Sequence, residues 1–499
     1  MFYIIFILVG LLWLKTYPSL DPDFGWHLSL GKQMVQNKHL VDSFVGYNYF
    51  STTFTIDHQW LSDILLYLSY NHIGYWFLAL IFFIITLLIF WLLYKTMIRR
   101  KVQPHIAGII IAISLLSASM IFCGIRLQYF LLFATVLLPY IFKTTKPFWL
   151  RLIYYFLIFA LGSNLHGGFL TLAPIPFLLE LSILRFSKTD RINSLKKMSA
   201  IVFILLLSFC TSPYGIEYWK YIVTYWTSPY YRNHIAEWLP IYTYPLRWVE
   251  VIFPLSIAIF MFTIDGYWKK LKKAELVMLA LYLYLGVTAL RAFPVFILLA
   301  APYLGSAMTE FYGNLKVDFR KVKYISLIVF IVVALSFTKN IKPFSFTENI
   351  FDVDKSYPKK ALDFVSLNIL HEGNLLNNYG WGGYQTWTHP ELKVFIDGRN
   401  PNPFVDGKKC ILEVYNNFFT GTDEQLGSNL EKYKISMIMI KKYEPTKLSK
   451  FDDFFYIHLG KMDLSMFGTE PDLTKYLARN ILWQKVYDDG EAEVWKKNI

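Results

Sequence analysis

Residues 2–14 read FYIIFILVGLLWL, and soon after them comes Asp21-Pro22-Asp23-Phe24-Gly25-Trp26-His27. Two carboxylates and an imidazole therefore stand at the mouth of a hydrophobic helix. Ionisable groups are costly at a membrane edge and mark functional sites by default. An Asp-x-Asp step can bring two carboxylates close enough to share a divalent cation such as Mg or Mn. It equally lets one carboxylate act as a base. The plain alternative is a solvated loop closed by an Asx-type turn.

The rest of the chain weights that choice. Of 499 residues, 55% are hydrophobic, 19% aromatic and only 17% charged, with a mean hydropathy of +0.37. The apolar residues come in bilayer-length runs, which is the pattern of a polytopic α-helical membrane protein. The net charge of +13 sits in short clusters between those runs, as an anionic leaflet favours. With no phosphate-binding glycine loop and no aromatic-basic strand pattern, no nucleic-acid partner is expected. Cys123, Cys210 and Cys410 are too scattered for a disulfide framework or a metal set. The N-terminus lacks a basic leader and a cleavage site, so its first helix is read as retained.

About eleven spans are expected: 2–19, 74–94, 106–122, 127–142, 151–163, 167–184, 198–211, 248–264, 275–290, 293–309 and 324–338. One set of loops is rich in Lys and Arg: Lys95, Arg99, Arg100 and Lys101, then Lys143, Lys146 and Arg151, then Arg185, Lys188, Arg191, Lys196 and Lys197. It continues with Lys269, Lys270, Lys272 and Lys273, and with Lys316, Arg320, Lys321 and Lys323. The positive-inside rule puts these loops and the N-terminus in the cytoplasm. Eleven crossings then leave the C-terminal part outside. The expected domains are 1–338, a transmembrane bundle with outer loops 20–73 and 211–247, and 339–499, a soluble extracytoplasmic α/β domain. In the latter, strands are expected at Lys393–Ile396 and Ile435–Ile440, and helices at 358–370 and 405–418. Loop 20–73 reads as an amphipathic helix bearing Trp26, Leu28, Leu30, Met34 and Val35, then a second helix opened by Asp57 as N-cap. Loop 211–247 is dense in Tyr and Trp, among them Tyr221, Tyr225, Trp238 and Tyr244, and suits the headgroup layer.

Several outer-side residues could carry chemistry. Arg126 and Arg291 are lone cations between apolar runs, and a guanidinium there calls for an anion. A lipid phosphate fits its planar fork; snorkelling to headgroups or an ion pair with an outer-loop carboxylate is the bland reading. Asn164-Leu165-His166-Gly167-Gly168 makes a tight turn in which His166 either binds a phosphate or sugar hydroxyl or simply bonds within the turn. Asp63 and His58 sit at the second helix. In the tail, Asn377-Asn378-Tyr379-Gly380-Trp381-Gly382-Gly383-Tyr384 is a Gly- and aromatic-rich turn of the sort used to lay a flat ligand on a surface. Asp397-Gly398-Arg399-Asn400 could be a binding loop or plain turn chemistry.

Taken together, D-P-D-x-x-W-H-L, W-L-x-[DE] at Trp60–Asp63, N-x-H-G-G, S-P-Y-G at Ser212–Gly215, A-E-W-x-P, Y-x-W-G-G-Y and V-F-I-D-G-R resemble a group of bacterial integral-membrane proteins related to GT-C glycosyltransferases. The similarity covers most of the chain. The tail is also loosely similar to the outer part of the oligosaccharyltransferase catalytic subunit, although its W-W-D-Y-G acid is missing from Tyr379–Tyr384. The resemblance implies a multi-pass protein of the bacterial cytoplasmic membrane with a GT-C-like bundle. It also implies inverting transfer of a sugar from a polyprenyl-phosphate donor to a glycan, lipid or protein acceptor on the outer face. Asp21 would then be the base, with Asp23 and His27 orienting it or contacting metal. Arg126, Arg291 and His166 would hold the phosphate, and Asn164, Glu237, Asp63, Trp381, Asp397 and Arg399 would line the substrate site. A flippase of lipid-linked sugars, or a non-catalytic GT-C-like scaffold, are the competing readings. The first should show an internal repeat and mid-span polar residues, which are not evident.

Overall fold

The computed structural model describes the chain apart from 42–45, 47–55, 123, 145–146, 185–189, 244–246, 317–318, 340, 342–344, 347, 369–372, 400–403, 406–408, 446–449, 455–457, 459–469 and 499. Cys123, Lys146, Arg185, Lys188, Tyr244 and Asn400 of the sequence reading lie outside the described residues. Two compact units form. The first is Met1–Ser19, His58–Ser62 and His72–Phe346; the second is Leu20–Asp57, Asp63–Asn71 and Thr347–Ile499. The sequence reading counted the whole of loop 20–73 with the spans, whereas most of it clusters with the C-terminal residues.

The first unit is a bundle of helices: Phe2–Thr16, the larger part of Trp60–Arg99, Pro104–Ala118, Gln128–Thr144, Phe148–Leu165, Pro174–Leu181, Arg191–Phe209, Phe253–Thr263, Lys273–Thr288, Phe293–Asn314 and Phe319–Thr338. Each expected span overlaps one of them. Among the described residues, five helical stretches are long and apolar enough to cross a membrane: Trp60–Arg99, Phe148–Leu165, Arg191–Phe209, Leu290–Asn314 and Lys321–Thr338. The expected span 167–184 is broken instead. A 3-10 turn at Gly167–Leu172 precedes a fresh helix that starts on Pro174, where a missing N–H costs nothing. Trp60–Arg99 is interrupted at Gly74, whose φ of 75° and ψ of 174° suit a residue without a Cβ.

Apolar side chains face both ways in this unit. Leu8, Ile111, Leu132, Phe159 and Ala300 are buried, while Phe203, Ile328, Val332 and Leu335 stand exposed. Helices that are hydrophobic all round belong in lipid. A buried charge pair is also satisfied there. Arg151 forks onto Glu180, and the Tyr155 hydroxyl donates to the same carboxylate at 3.0 Å, which is what a low-dielectric interior demands of an ion pair.

The second unit is α/β. Its main sheet has the order β1-β4-β6-β5, with β1 (Asn374–Asn377), β4 (Ile435–Lys441), β5 (Trp483–Asp488) and β6 (Ala492–Lys497); β1 and β4 are parallel and the other pairs antiparallel. A small ribbon joins β2 (Phe404–Val405) to β3 (Lys409–Cys410). Helices Phe24–Asn37, Lys359–Asn368, Gly382–Thr388, Asp423–Lys432 and Asp472–Arg479 also belong to this unit. The expected strand at 435–440 is β4, and the expected helix at 358–370 is Lys359–Asn368. Within the expected helix at 405–418, residues 406–408 lie outside the described ones; among those described, Val405, Lys409 and Cys410 are in the ribbon and Ile411–Asn416 is helical.

The expected strand Lys393–Ile396 does not form. Asn377, fully buried, takes the place of a neighbouring strand. Its Oδ1 accepts the N–H groups of Phe395 and Ile396 at 2.7 and 3.3 Å, and its Nδ2 donates to the Ile396 carbonyl at 2.8 Å. One side chain thus meets the backbone requirement that a ladder would otherwise fill.

Candidate functional site

In the second unit, Asp21 Oδ1 accepts the Asp23 N–H at 2.9 Å, an Asx turn that launches helix Phe24–Asn37. One turn on, the Trp26 indole N–H donates to Asp23 Oδ1 at 2.9 Å. Leu20 is tied down from the other side, its N–H to Asp354 at 2.7 Å and its carbonyl to the Tyr357 hydroxyl at 3.1 Å. The acid pair is therefore held from both ends.

Close backbone approach then gathers three distant motifs. A Cβ on Gly25 would lie 2.1 Å from the Gly383 carbonyl oxygen, and one on Gly383 would lie 2.2 Å from the Pro22 oxygen. A Cβ on Gly382 would meet the Ile396 oxygen at 2.3 Å, and one on Gly398 would meet Asp23 Oδ1 at 1.8 Å. The Asp-Pro-Asp turn, the Trp-Gly-Gly-Tyr segment and the Asp-Gly-Arg turn interlock because their glycines carry no side chain.

Around this junction lies a buried set of ionisable groups. Asp21, His27, Asp57, Asp63, Asp397 and Arg399 are each at most 6% exposed. Arg399 Nε reaches Asp397 Oδ1 at 3.0 Å and Oδ2 at 2.9 Å, and its own N–H donates to Oδ1 at 3.0 Å, so this pair is locked. His27 Nδ1 and Asp63 Oδ1 are 2.6 Å apart. Burial lowers the His27 pKa from 6.5 against the pull of Asp23, Asp57, Asp21 and Asp397. The imidazole is accordingly neutral near pH 7 and donates through Nδ1 to Asp63. The Asp57 side chain interacts with Asp63 in the same buried cluster. Asp57 is not the expected N-cap: the cap position is Gln59, without a side-chain bond. Its carboxyl is used inside the cluster instead.

The first unit carries a different cluster. Arg126 binds Glu237 at 2.6 Å. Arg291 lies 4.9 Å above the Trp238 ring, which also meets Tyr225 edge-on at 5.0 Å. Burial raises the Glu237 pKa, but Arg126 and Arg291 outweigh it and hold the group below its ordinary value. Arg126 binds this carboxylate directly, and Arg291 acts on it through its charge. Tyr221 and Tyr225 stack at 6.1 Å, and His58 sits 5.3 Å from Tyr221 and 6.4 Å from His166. The turn beneath them is fixed by its own bonds. Asn164 Oδ1 accepts the Trp60 indole at 2.8 Å, and His166 Nδ1 accepts the Gly168 N–H at 2.9 Å.

No family model and no curated protein matches the sequence. Solved structures do. The chain is similar to the Archaeoglobus fulgidus oligosaccharyltransferase tethered with an acceptor peptide containing the NVT sequon, with a TM-score of 0.53 and 12% identity over 88% of this chain and 69% of that one. It is also similar to the archaeal oligosaccharyltransferase AglB from the same organism in complex with an inhibitory peptide and a dolichol-phosphate, with a TM-score of 0.51 and 12% identity over the same shares. The chain has the GT-C fold.

On this GT-C scaffold the residues singled out in the sequence fall into two groups. Asp21, Asp23, His27, Asp63, Asp397 and Arg399 gather in the second unit; Arg126, His166, Arg291, Asn164 and Glu237 belong to the first. His27 is bound to Asp63, not to the Asp-x-Asp pair it was expected to orient. Trp381 is buried at 5% exposure, so its ring is packing and not a surface platform. Asp354, which anchors Leu20, lies in no recognisable motif; Asn377 opens the Gly- and aromatic-rich stretch, but its service to the Phe395 and Ile396 amides is not written there. As for a divalent cation, the described residues contain no group of three or more His, Cys, Asp or Glu placed to hold one. Asp21 and Asp23 each already accept an N–H. The described ligand set does not fit a metal, and no step below runs through one.

Proposed function

We propose that this chain is an inverting glycosyltransferase of the bacterial cytoplasmic membrane. It moves a sugar from a polyprenyl-phosphate donor to an acceptor hydroxyl or amide on the outer face. The observation that carries the reading is the interlock of the Asp-Pro-Asp, Trp-Gly-Gly-Tyr and Asp-Gly-Arg motifs around buried carboxylates, on the fold of an oligosaccharyltransferase. The AglB structure with a dolichol-phosphate supports a lipid-phosphate ligand. The basic loops support a cytoplasmic N-terminus.

In the proposed reaction the acceptor attacks the anomeric carbon from the face opposite the lipid phosphate. Its proton passes to the Asp21 carboxylate, whose other contacts hold it in place. The C–O bond to the phosphate breaks with its electron pair leaving on the lipid. In the first unit, Arg126 and Arg291, offset by the single carboxylate of Glu237, retain one net positive charge of the kind that binds a lipid phosphate. Asp23, held by Trp26, positions Asp21.

Purified protein given a panel of radiolabelled polyprenyl-phosphate sugars and an envelope extract as acceptor tests this. Transfer should appear with one donor and drop by about 100-fold or more in Asp21→Asn, while the variant still retains lipid. Undiminished transfer in Asp21→Asn would remove Asp21 from the base role, and no transfer with any donor would sink the enzyme reading.

A further inference from the structure

Near the start of the C-terminal part of the second unit, residues 349–357 make a short strap. Asn349 opens it, its Oδ1 accepting the Phe351 N–H at 3.2 Å and so capping the one-turn helix Ile350–Val353. Phe351 is buried; its ring stacks on Phe24 at 6.0 Å, and its carbonyl accepts the Tyr384 hydroxyl at 2.5 Å. Asp354 Oδ1 then accepts the Ser356 N–H at 3.0 Å, which turns the chain. Tyr357 lies against the Tyr384 ring at 4.8 Å, with 12° between the two planes. The strap is thereby bolted to the Trp-Gly-Gly-Tyr segment and to the first turn of helix Phe24–Asn37.

What it grips is Leu20, the residue before Asp21. Asp354 Oδ2 takes the Leu20 N–H at 2.7 Å, and the Tyr357 hydroxyl donates to the Leu20 carbonyl at 3.1 Å. These atoms belong to the two peptide groups that precede the Asp21 Cα. On the other side, the Asp21 carbonyl accepts the Phe24 N–H at 3.1 Å. Asp354 is buried, so its bonds to the two N–H groups are shielded from water. We infer that Asp354 and Tyr357 are positioning residues for the Asp21 carboxylate.

This inference rests on the proposed role of Asp21 as the base. A base must stand within hydrogen-bond reach of the proton it takes, and a displacement of ~1 Å costs about 100-fold in rate. Asp354 spends one carboxylate oxygen on each N–H. An asparagine has a single acceptor oxygen and would set its NH2 against the other donor, so Asp354→Asn suffices to loosen the grip. Tyr357→Phe keeps the ring on Tyr384 and deletes only the bond to Leu20.

The full-length protein in nanodiscs is compared as wild type, Asp354→Asn, Tyr357→Phe, Asp21→Asn, and Asp21→Asn combined with Asp354→Asn. Asp352→Asn is the control, since Asp352 is exposed and pairs with Lys359 at 2.5 Å. Hydrogen exchange over 18–24, read without substrate, should quicken about tenfold or more in Asp354→Asn and severalfold in Tyr357→Phe. It should stay at the wild-type rate in Asp352→Asn. Turnover in sugar transfer should fall about tenfold in Asp354→Asn with the donor KM unchanged. On the Asp21→Asn background the same substitution should add no further loss, because nothing remains to be positioned. A merely structural role would lower both backgrounds alike. Should Asp354→Asn fail to fold, Tyr357→Phe carries both measurements. Unchanged exchange over 18–24, or losses that multiply in the combined variant, would overturn the inference. Wild-type turnover in the strap variants, with Asp21→Asn impaired, would overturn it too and leave the base role standing. Undiminished transfer in Asp21→Asn would instead remove the base role, and the inference with it.

Discussion

Gly398→Ala should loosen the second unit far more than a methyl group ordinarily does. The new Cβ would lie 1.8 Å from Asp23 Oδ1, 2.6 Å from Trp26 Nε1 and 2.9 Å from Asp23 Cγ. A carbon–oxygen contact normally needs ~3.3 Å or more, so one side must retreat by roughly 1.5 Å. The Asp-Gly-Arg turn resists, because the Arg399 guanidinium and backbone N–H both bind Asp397. The motion therefore falls on Asp23 and breaks its bond to Trp26. Overpacking of this sort costs about 1–3 kcal/mol, and losing a hydrogen bond to a charged acceptor adds about 1.5–3 kcal/mol. The expected loss is about 3–5 kcal/mol, or a drop of roughly 10 °C in the melting of a unit of this size. Thermal unfolding of the purified protein gives the midpoint. Hydrogen exchange over 20–37 and 382–399 shows where the loss occurs. Gly380→Ala is the control, since a Cβ there meets only Asn378 Oδ1 at an ordinary 3.5 Å. If Gly398→Ala melts with wild type, or if both variants fall equally, the interlock of the three motifs is not what holds the acid pair.

Other consequences can be read from single side chains. Asn377→Leu removes the acceptor for two buried amides and should destabilise the second unit by about 2–4 kcal/mol, measured by denaturant unfolding; a neutral effect would mean another group serves Phe395 and Ile396. Arg399→Met leaves Asp397 buried without its fork and should cost about 3–5 kcal/mol, with Arg399→Lys recovering part. His27 contributes a pH dependence of definite sign. Its folded pKa lies below the unfolded 6.5, so the unfolded chain binds the proton first. This contribution is fully present above about pH 6.5 and is lost as pH falls below it, by up to about 1.4 kcal/mol per pH unit. His27→Gln should flatten the slope of stability between pH 7 and 5.5; an unchanged slope would assign it to other groups. Glu237→Gln should raise retention of a polyprenyl phosphate severalfold and Arg126→Gln should lower it, read by lipid co-purification; identical retention in both would remove this cluster from phosphate binding.

Much of the helical architecture was legible because bilayer-length apolar runs leave little choice. The amphipathic helix at Phe24–Asn37 was legible too: Trp26, Leu28, Leu30 and Met34 are all buried, as their spacing predicts. Failures came where one side chain does work usually given to backbone. The Val-Phe-Ile run before Asp397 has strand composition, and local pattern has no way to announce that Asn377, far upstream, would satisfy its amides. Asp57 looked like a cap because cap chemistry is local, while its actual partner Asp63 sits across a helix start. The grouping of the site was half visible. Glycines within Trp-Gly-Gly-Tyr and Asp-Gly-Arg hinted at close approach, but which backbones approach depends on tertiary packing. Tight pairing of Asp397 with Arg399 was likewise hidden, since residues two apart seldom bond so fully.

In sequence, the second unit is assembled from two pieces that interrupt the first unit early, Leu20–Asp57 and Asp63–Asn71, and one that follows it, Thr347–Ile499. During synthesis, helix Phe24–Asn37 emerges early, yet the Gly382–Thr388 helix that covers it is made only after every span has been threaded. Its apolar face must wait, shielded by lipid or a chaperone, until nearly the last quarter of the protein arrives. A ribosome stalled after Thr338 would leave that face stranded, and the C-terminal residues made alone would lack the piece that completes their core. The polypeptide is therefore all or nothing: a half-made chain leaves that apolar face uncovered.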